Sequence, residues 1–324
     1  MTDAQKEEFF VADLDASGGS ESPIQTPTET RPEKVTSLGR DAWLEMRRKP
    51  TFWISAALIV LFMLMAIFPQ LFSHTDPYYA DLSKSRQPPQ PGAPFGYDNQ
   101  GHSVYARTIY GARASIMVGI FATIFTLVVG SIFGIVAGYV GGWLDSVLGR
   151  TSEIFLGIPA LLGGMLFLYV FPSDPLTTPF SVQVAKVALV IGVLSWPVVM
   201  RLMRGSVLQV KPNDYVQAAR ALGGTPGRII RSHILPNSLA SVIVVSTINL
   251  GAFISLEATL SFLGIGLQPP AISWGIAISE ASGIGLIRSA PWMLIFPSIF
   301  LSLTVLAFIM LGDTVRDALD PKLR

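Results

Sequence analysis

The chain has 324 residues, 50% of them hydrophobic and only 14% charged, with 23 Lys and Arg against 22 Asp and Glu and a formal net charge of +1. Soluble domains carry about 25% charged residues, so this composition excludes a soluble globular enzyme and a disordered chain. The absence of Cys excludes a disulfide scaffold, the near-neutral charge argues against a nucleic-acid binder, and a polytopic membrane protein is what remains.

Residues 1–48 read as a cytoplasmic N-terminal tail. The first part is acidic and rich in Ser, Thr, Gly and Pro, with too few apolar residues for a core, a composition of disorder. Met1 to Phe10 is acidic where a secretory leader needs a basic start, so no signal peptide is expected. Arg47-Arg48-Lys49 reads as a topogenic stop at the inner leaflet or as a contact for anionic lipid. Stretches free of Asp, Glu, Lys and Arg then follow at 51–72, 114–144, 154–173, 187–200, 234–256 and 289–312. A helix needs about 20 apolar residues to cross the bilayer core, which predicts six spans. The fourth is short, and Lys186 and Arg201 are expected to snorkel from its ends. Backbone groups in lipid must be paired within the segment, which favours helices, and residues 116–133 and 301–311 lack the alternation of barrel strands. The predicted fold class is an all-α polytopic membrane protein with six transmembrane helices. Its parts are the tail, the first helix and outer loop (49–110), a five-helix core with a cytoplasmic loop at about 208–236 (111–313), and a cytoplasmic C-terminal tail (314–324).

Orientation follows from Lys and Arg. With the N-terminus inside, seventeen of the 23 basic residues fall on cytoplasmic segments, so both termini are expected in the cytoplasm. The outer loop at about 73–110, with Gln87-Pro88-Pro89-Gln90-Pro91-Gly92, is long for a connection. It reads either as a cover over an outer opening or as a passive surface loop.

The segment between the fourth and fifth spans is the most informative. Asn213 is a good helix N-cap and Asp214 suits the positive helix start. Tyr215, Ala218, Ala219 and Leu222 recur at i, i+3, i+4 and i+7, one apolar face. Gly223-Gly224 fits a left-handed stop, and Thr225-Pro226 a helix restart. The spacing therefore predicts two short helices around a sharp turn. Their apolar face either docks on a protein partner, as a helix in a groove, or packs beneath the chain's own bundle.

This segment resembles the cytoplasmic coupling loop of bacterial ABC importer permeases, whose pattern is Glu-Ala-Ala, three residues, Gly, and a later His-x-Leu-Pro end. Here Gln217-Ala218-Ala219, Gly223 and His233-Ile234-Leu235-Pro236 match, with Gln217 in place of Glu. The resemblance extends to Ile109-Tyr110-Gly111-Ala112-Arg113-Ala114-Ser115, to Gly138-Tyr139-Val140-Gly141-Gly142-Trp143-Leu144-Asp145, to residues 260–270 and to the tail at 311–321. These resemble the second permease subunit of dipeptide/oligopeptide importers, and nickel permeases share them. Asp98-Asn99-Gln100-Gly101-His102-Ser103 departs from a pattern nearer Asp-x-x-Gly-Arg-Asp, and His102 reads as a solvated loop residue rather than a metal ligand.

The resemblance implies the type I ABC importer permease fold, in the bacterial inner membrane, with a homologous permease, ATPase subunits and an extracytoplasmic peptide-binding protein as partners. It implies that Tyr215, Gln217, Ala218, Ala219, Arg220, Leu222, Gly223, Pro226, Arg228, His233, Leu235 and Pro236 couple this chain to the ATPase. No Gly-x-x-x-x-Gly-Lys-Ser/Thr occurs, so no phosphate cradle is present and ATP and Mg belong to the ATPase subunits. His74, His102 and His233 are far apart in sequence, and no metal spacing or catalytic triad is visible, so the chain is expected to be neither a metal site nor an enzyme. Glu257 interrupts an uncharged stretch and is, with Asn249, a candidate for the translocation pathway. Its alternative role is a structural ion pair or a hydrogen bond to Ser or Thr on a neighbouring span. A gradient-driven secondary transporter using Glu257 and a non-transporting scaffold are the rival readings.

Overall fold

Lipid-facing helices must be long and apolar, and the computed structural model meets that demand with five continuous helices. It describes residues 43–174 and 177–319. The N-terminal tail up to residue 42 and the end of the C-terminal tail lie outside the described residues. The spanning helices are α1 (Pro50–Ile67), α2 (Val104–Val140), α5 (Phe180–Val210), α8 (Leu235–Phe262) and α11 (Trp292–Leu319). The sixth, expected at 154–173, is broken. Helix α3 (Gly142–Leu156) and helix α4 (Ala160–Val170) meet at an 83° bend. Pro159 sits in the break, where its missing N–H ends one helix and its fixed φ opens the next.

Helix lengths also differ from the uncharged windows. α5 extends from Phe180 to Val210 rather than 187–200, because Lys186 and Arg201 lie within it. The Lys186 ammonium donates to the Phe171 carbonyl at 2.9 Å, closing the end of α4. Pro197 lies inside α5 without breaking it, and Pro297 likewise inside α11.

The core is built around α2. Gly130, Gly134 and Gly138 form a stripe along it at a spacing of four. A Cβ at Gly134 would lie 2.6 Å from the Met200 carbonyl oxygen, and one at Gly130 would lie 2.7 Å from Val199 Cβ. The stripe therefore lets α5 approach backbone to backbone, as small residues do at membrane helix contacts. On the other flank Phe62, Ile109, Ile116, Ile254, Trp274 and Phe308 join α1, α2, α8 and α11 into one buried cluster. Trp274 opens α9 (Trp274–Ala281); it is fully buried and its indole donates to the Thr108 carbonyl at 2.8 Å. A short helix α10 (Ile284–Ser289) leads into α11.

The outer loop is anchored to the bundle. Phe95 stacks on Phe296 at 3.8 Å, and the Trp292 indole donates to the Tyr97 carbonyl. Asp98 accepts from the backbone N–H of His102 at 2.9 Å and from the Arg107 guanidinium at 2.8 Å, and Arg107 continues to Glu280 on α9 at 2.6 Å. His102 is not the solvated residue expected from the sequence. Its Nδ1 lies 2.9 Å from the Asp98 carboxylate, and its side chain is only 14% exposed.

Candidate functional site

Between α5 and α8 the chain folds as the spacing predicts. Helix α6 spans Asp214–Ala221, and α7 spans Pro226–Ile229 with Thr225 at its N-cap and Pro226 at its first position. The stop between them is a Schellman motif. Gly223 has φ +79°, its N–H donates to Arg220 O, and the Gly224 N–H donates to Ala219 O, both at 3.0 Å. Gly224 is also sterically required, since a Cβ there would lie 2.7 Å from the Ala219 oxygen. Asn213 stands at the α6 N-cap, but its side chain makes no capping bond and instead donates to the Tyr215 hydroxyl at 3.2 Å.

The sequence left open whether the apolar face docks outward or packs inward, and the structure divides the two roles between faces. Val216, Ile229 and Ile234 are buried among Val199, Met203, Val207 and Val242, and they hold the loop under the bundle. Val216 is about 100° around the helix from Tyr215, off the predicted face. That face stays open: Leu222 is 89% exposed and Tyr215 is 44% exposed. Together with Ala218, Ala219, Arg228 and His233, these residues line a groove of about 440 Å³. The Tyr215 and His233 rings meet at 6.1 Å across it, and Asn237 donates to the His233 carbonyl at 2.6 Å.

Two further contacts fix the groove's frame. Lys211 donates to the Tyr139 carbonyl at 2.8 Å and lies over the Tyr139 ring, tying the start of the loop to the end of α2. Gln217 donates from its amide to the Lys211 carbonyl at 2.9 Å. A Glu carboxylate has no such proton to give, so the departure from the family pattern gains a brace specific to glutamine. At the far end a π-helical turn, Ile230–Ile234, feeds α8, where Leu235 and Pro236 occupy the first positions. Arg220, Arg228 and Arg231 have no carboxylate within ion-pair distance among the described residues. The open face is thus mostly apolar, with the Arg228 guanidinium on its lining.

Of the twelve loop residues singled out from the sequence, Tyr215, Ala218, Ala219, Leu222, Gly223, Arg228 and His233 line the groove, while Gln217, Arg220, Pro226, Leu235 and Pro236 lie outside its lining. Missed were Lys211, Val216 and Ile229; the isolated apolar Val216 beside the predicted face was the available signal. Glu257 and Asn249 are not brought together with the loop. Glu257 is fully buried and accepts from the Ser261 hydroxyl at 2.8 Å, a bond within α8 itself rather than the one to a neighbouring span that the sequence offered as its alternative to a pathway role. Asn249, two turns earlier on α8, is partly exposed. Among the described residues no group of three or more His, Cys, Asp or Glu side chains is placed to hold a metal ion.

Comparison with known proteins gives this geometry a family. Residues 130–324 match the family described as the binding-protein-dependent transport system inner membrane component, and residues 37–89 match the N-terminal TM domain of oligopeptide transport permease C. The oligopeptide transport system permease protein OppC of Bacillus subtilis (strain 168) is 36% identical over 90% of this chain and 92% of its own length. The dipeptide transport system permease protein DppC of Alkalihalophilus pseudofirmus is also 36% identical, over 93% of this chain and 97% of its own. The glutathione transport system permease protein GsiD of Salmonella typhimurium is 35% identical over 91% of this chain and 94% of its own. Among solved structures, an inward-facing MetNI methionine ABC transporter chain shares the fold at a TM-score of 0.51 and 22% identity, covering 65% of this chain and 95% of that one. The chain therefore belongs to the binding-protein-dependent transport system inner membrane components, the multi-pass permeases of ABC importers in the bacterial inner membrane.

Proposed function

We propose that this chain is the permease subunit through which an ATPase drives uptake of dipeptides or oligopeptides, and that the groove on α6 and α7 is where the ATPase docks. The observation that carries the reading is the open face itself. A leucine exposed at 89% beside a half-exposed tyrosine is poorly placed in water. Burying one such side chain contributes about 1.5–3 kcal/mol. Arg228 on the groove's lining suits an acidic group on the partner. ATP-driven closure of the ATPase pair would displace α6 and α7 as a unit, because the Schellman turn and the buried Val216 and Ile229 join them to α5 and α8. The displacement then passes into the spans that enclose the pathway, with Asn249 as a pathway candidate and Glu257 as an internal brace. Peptide as substrate is supported by relatives named for dipeptides, oligopeptides and glutathione. A homologous permease and an extracytoplasmic peptide-binding protein complete the assembly.

The test is purification of the tagged chain from its native membrane in mild detergent, for wild type and Leu222→Asp. Wild type is expected to bring down a second permease and an ATPase, and the variant to keep the permease, lose the ATPase and lose peptide uptake. Retained ATPase with normal uptake in the variant would overturn the docking assignment.

A further inference from the structure

Away from the groove, the structure holds a second polar site for which the coupling reading has no use. Where α3 climbs along α5, Asp145, Arg150, Ser152, Glu153, Arg201 and Arg204 line a cleft of about 550 Å³. Two of its three arginines are committed to carboxylates. Arg204 binds Asp145 through two bonds at 2.5 and 2.7 Å, and Arg150 reaches Glu153 at 3.1 Å. Arg201 is not: among the described residues its one bond is from Nε to the Ser152 hydroxyl at 3.4 Å, which leaves both terminal nitrogens of its guanidinium without a partner there. The cleft thus carries one net positive charge, with unused donors facing its open side.

Depth identifies what this charge meets. Arg201 lies roughly 30 Å along α5 from Phe180 at 1.5 Å per residue, about the thickness of the hydrocarbon core. That puts it at the boundary of the leaflet on the coupling-loop side, where lipid phosphates lie. Its surroundings on that surface are apolar. Val198, one turn away on α5, is 43% exposed, and on α3 Trp143 and Ile154 are 72% and 68% exposed. A tryptophan at this level is the usual interfacial anchor, and exposed aliphatic side chains on both sides of the cleft offer a surface for acyl chains.

We propose that the cleft binds the phosphate of an anionic phospholipid, with Arg201 as its principal ligand and the exposed faces of α3 and α5 against the acyl chains. Arginine suits the task because its planar fork presents parallel donors to two phosphate oxygens.

The test uses the purified complex in nanodiscs of phosphatidylcholine and phosphatidylglycerol at 3:1, with bound lipid counted by native mass spectrometry. Wild type is expected to raise the ratio of bound phosphatidylglycerol to bound phosphatidylcholine ~fivefold over that of the surrounding bilayer, the scale expected for one arginine at an anionic surface. Arg201→Gln is expected to abolish the enrichment and Arg201→Lys to keep part of it, both leaving the Arg204–Asp145 pair and complex recovery unchanged. No enrichment in wild type, or enrichment unaffected by Arg201→Gln, would overturn the proposal. Millimolar inorganic phosphate that displaces the bound lipid would reassign the cleft to a free anion. Enrichment in the isolated chain that vanishes in the complex would reassign it to a carboxylate of the second permease.

Discussion

At the residue scale, Gly223 and Gln217 carry the groove's geometry. Gly223 holds a left-handed φ with open space around its missing side chain. A substitution there is penalised by backbone conformation alone, ~1–2 kcal/mol for an ordinary L residue and more for a β-branched one. Gly223→Val is therefore expected to insert normally and to abolish uptake, because the Schellman turn that sets α7 against α6 cannot close. Membrane yield read beside peptide uptake checks this, and normal uptake would exclude the turn from coupling. Gln217→Glu is the subtler change. It recreates the family pattern but replaces the donor to Lys211 O with an acceptor, so two acceptors face each other. The expected result is a weaker loop with ATPase association altered severalfold, measured by co-purification of the two subunits under increasing salt.

At the element scale, the contact of α2 with α5 depends on three glycines that the uncharged windows did not single out. Replacing Gly134 with Leu would drive a side chain into the Met200 carbonyl and the Met203 Cβ, both 2.6 Å from its first atom. Overpacking of this kind costs about 1–3 kcal/mol or more, and backbone on the receiving side leaves little room for relief. A melting point in detergent lowered by several degrees for Gly134→Leu, and by less for the same change at the uncrowded Gly149, is the expected pair of results. Helix α3 shows the opposite arrangement, with one polar face toward the cleft and one apolar face exposed. Its charged residues Asp145, Arg150 and Glu153 fall in the gap between the uncharged windows 114–144 and 154–173, so a search for such windows passes over it as an element.

At the scale of the whole molecule, the outer surface is joined by one chain of charges. Asp98 in the loop, Arg107 at the start of α2 and Glu280 on α9 bring together residues up to 182 positions apart in sequence. Burial alone would push the Asp98 carboxyl up, but the His102 backbone N–H and the Arg107 guanidinium together outweigh it and hold the carboxyl below its ordinary value. A carboxylate with a depressed folded pKa contributes stability that is fully present above the ordinary value of about 3.9 and lost as pH falls through the folded one. Amide exchange across residues 86–103 is thus expected to quicken as pH drops below about 4, and Asp98→Asn to show fast exchange already at neutral pH. Equal protection in both proteins at both pH values would remove the network from the loop's support.

Hydropathy alone determined that this chain crosses a membrane many times by helices, because the cost of unpaired backbone in lipid admits few other solutions. The loop between α5 and α8 was legible because its signals are local: caps, a four-residue apolar face and a glycine stop lie within fifteen positions, and the torsions they demand depend little on neighbours. Its family was legible for the same reason. Tertiary structure decided where those residues face. Val216 turns inward while Leu222 stays open, and Glu257 disappears into the core beside Ser261. It also took His102 out of solvent, whereas the 83° bend at Pro159 follows from proline's own missing N–H and fixed φ. The inward turn of Val216 is set by packing against Val199, Met203, Val207 and Val242, segments distant from it in sequence, and no local preference signals it.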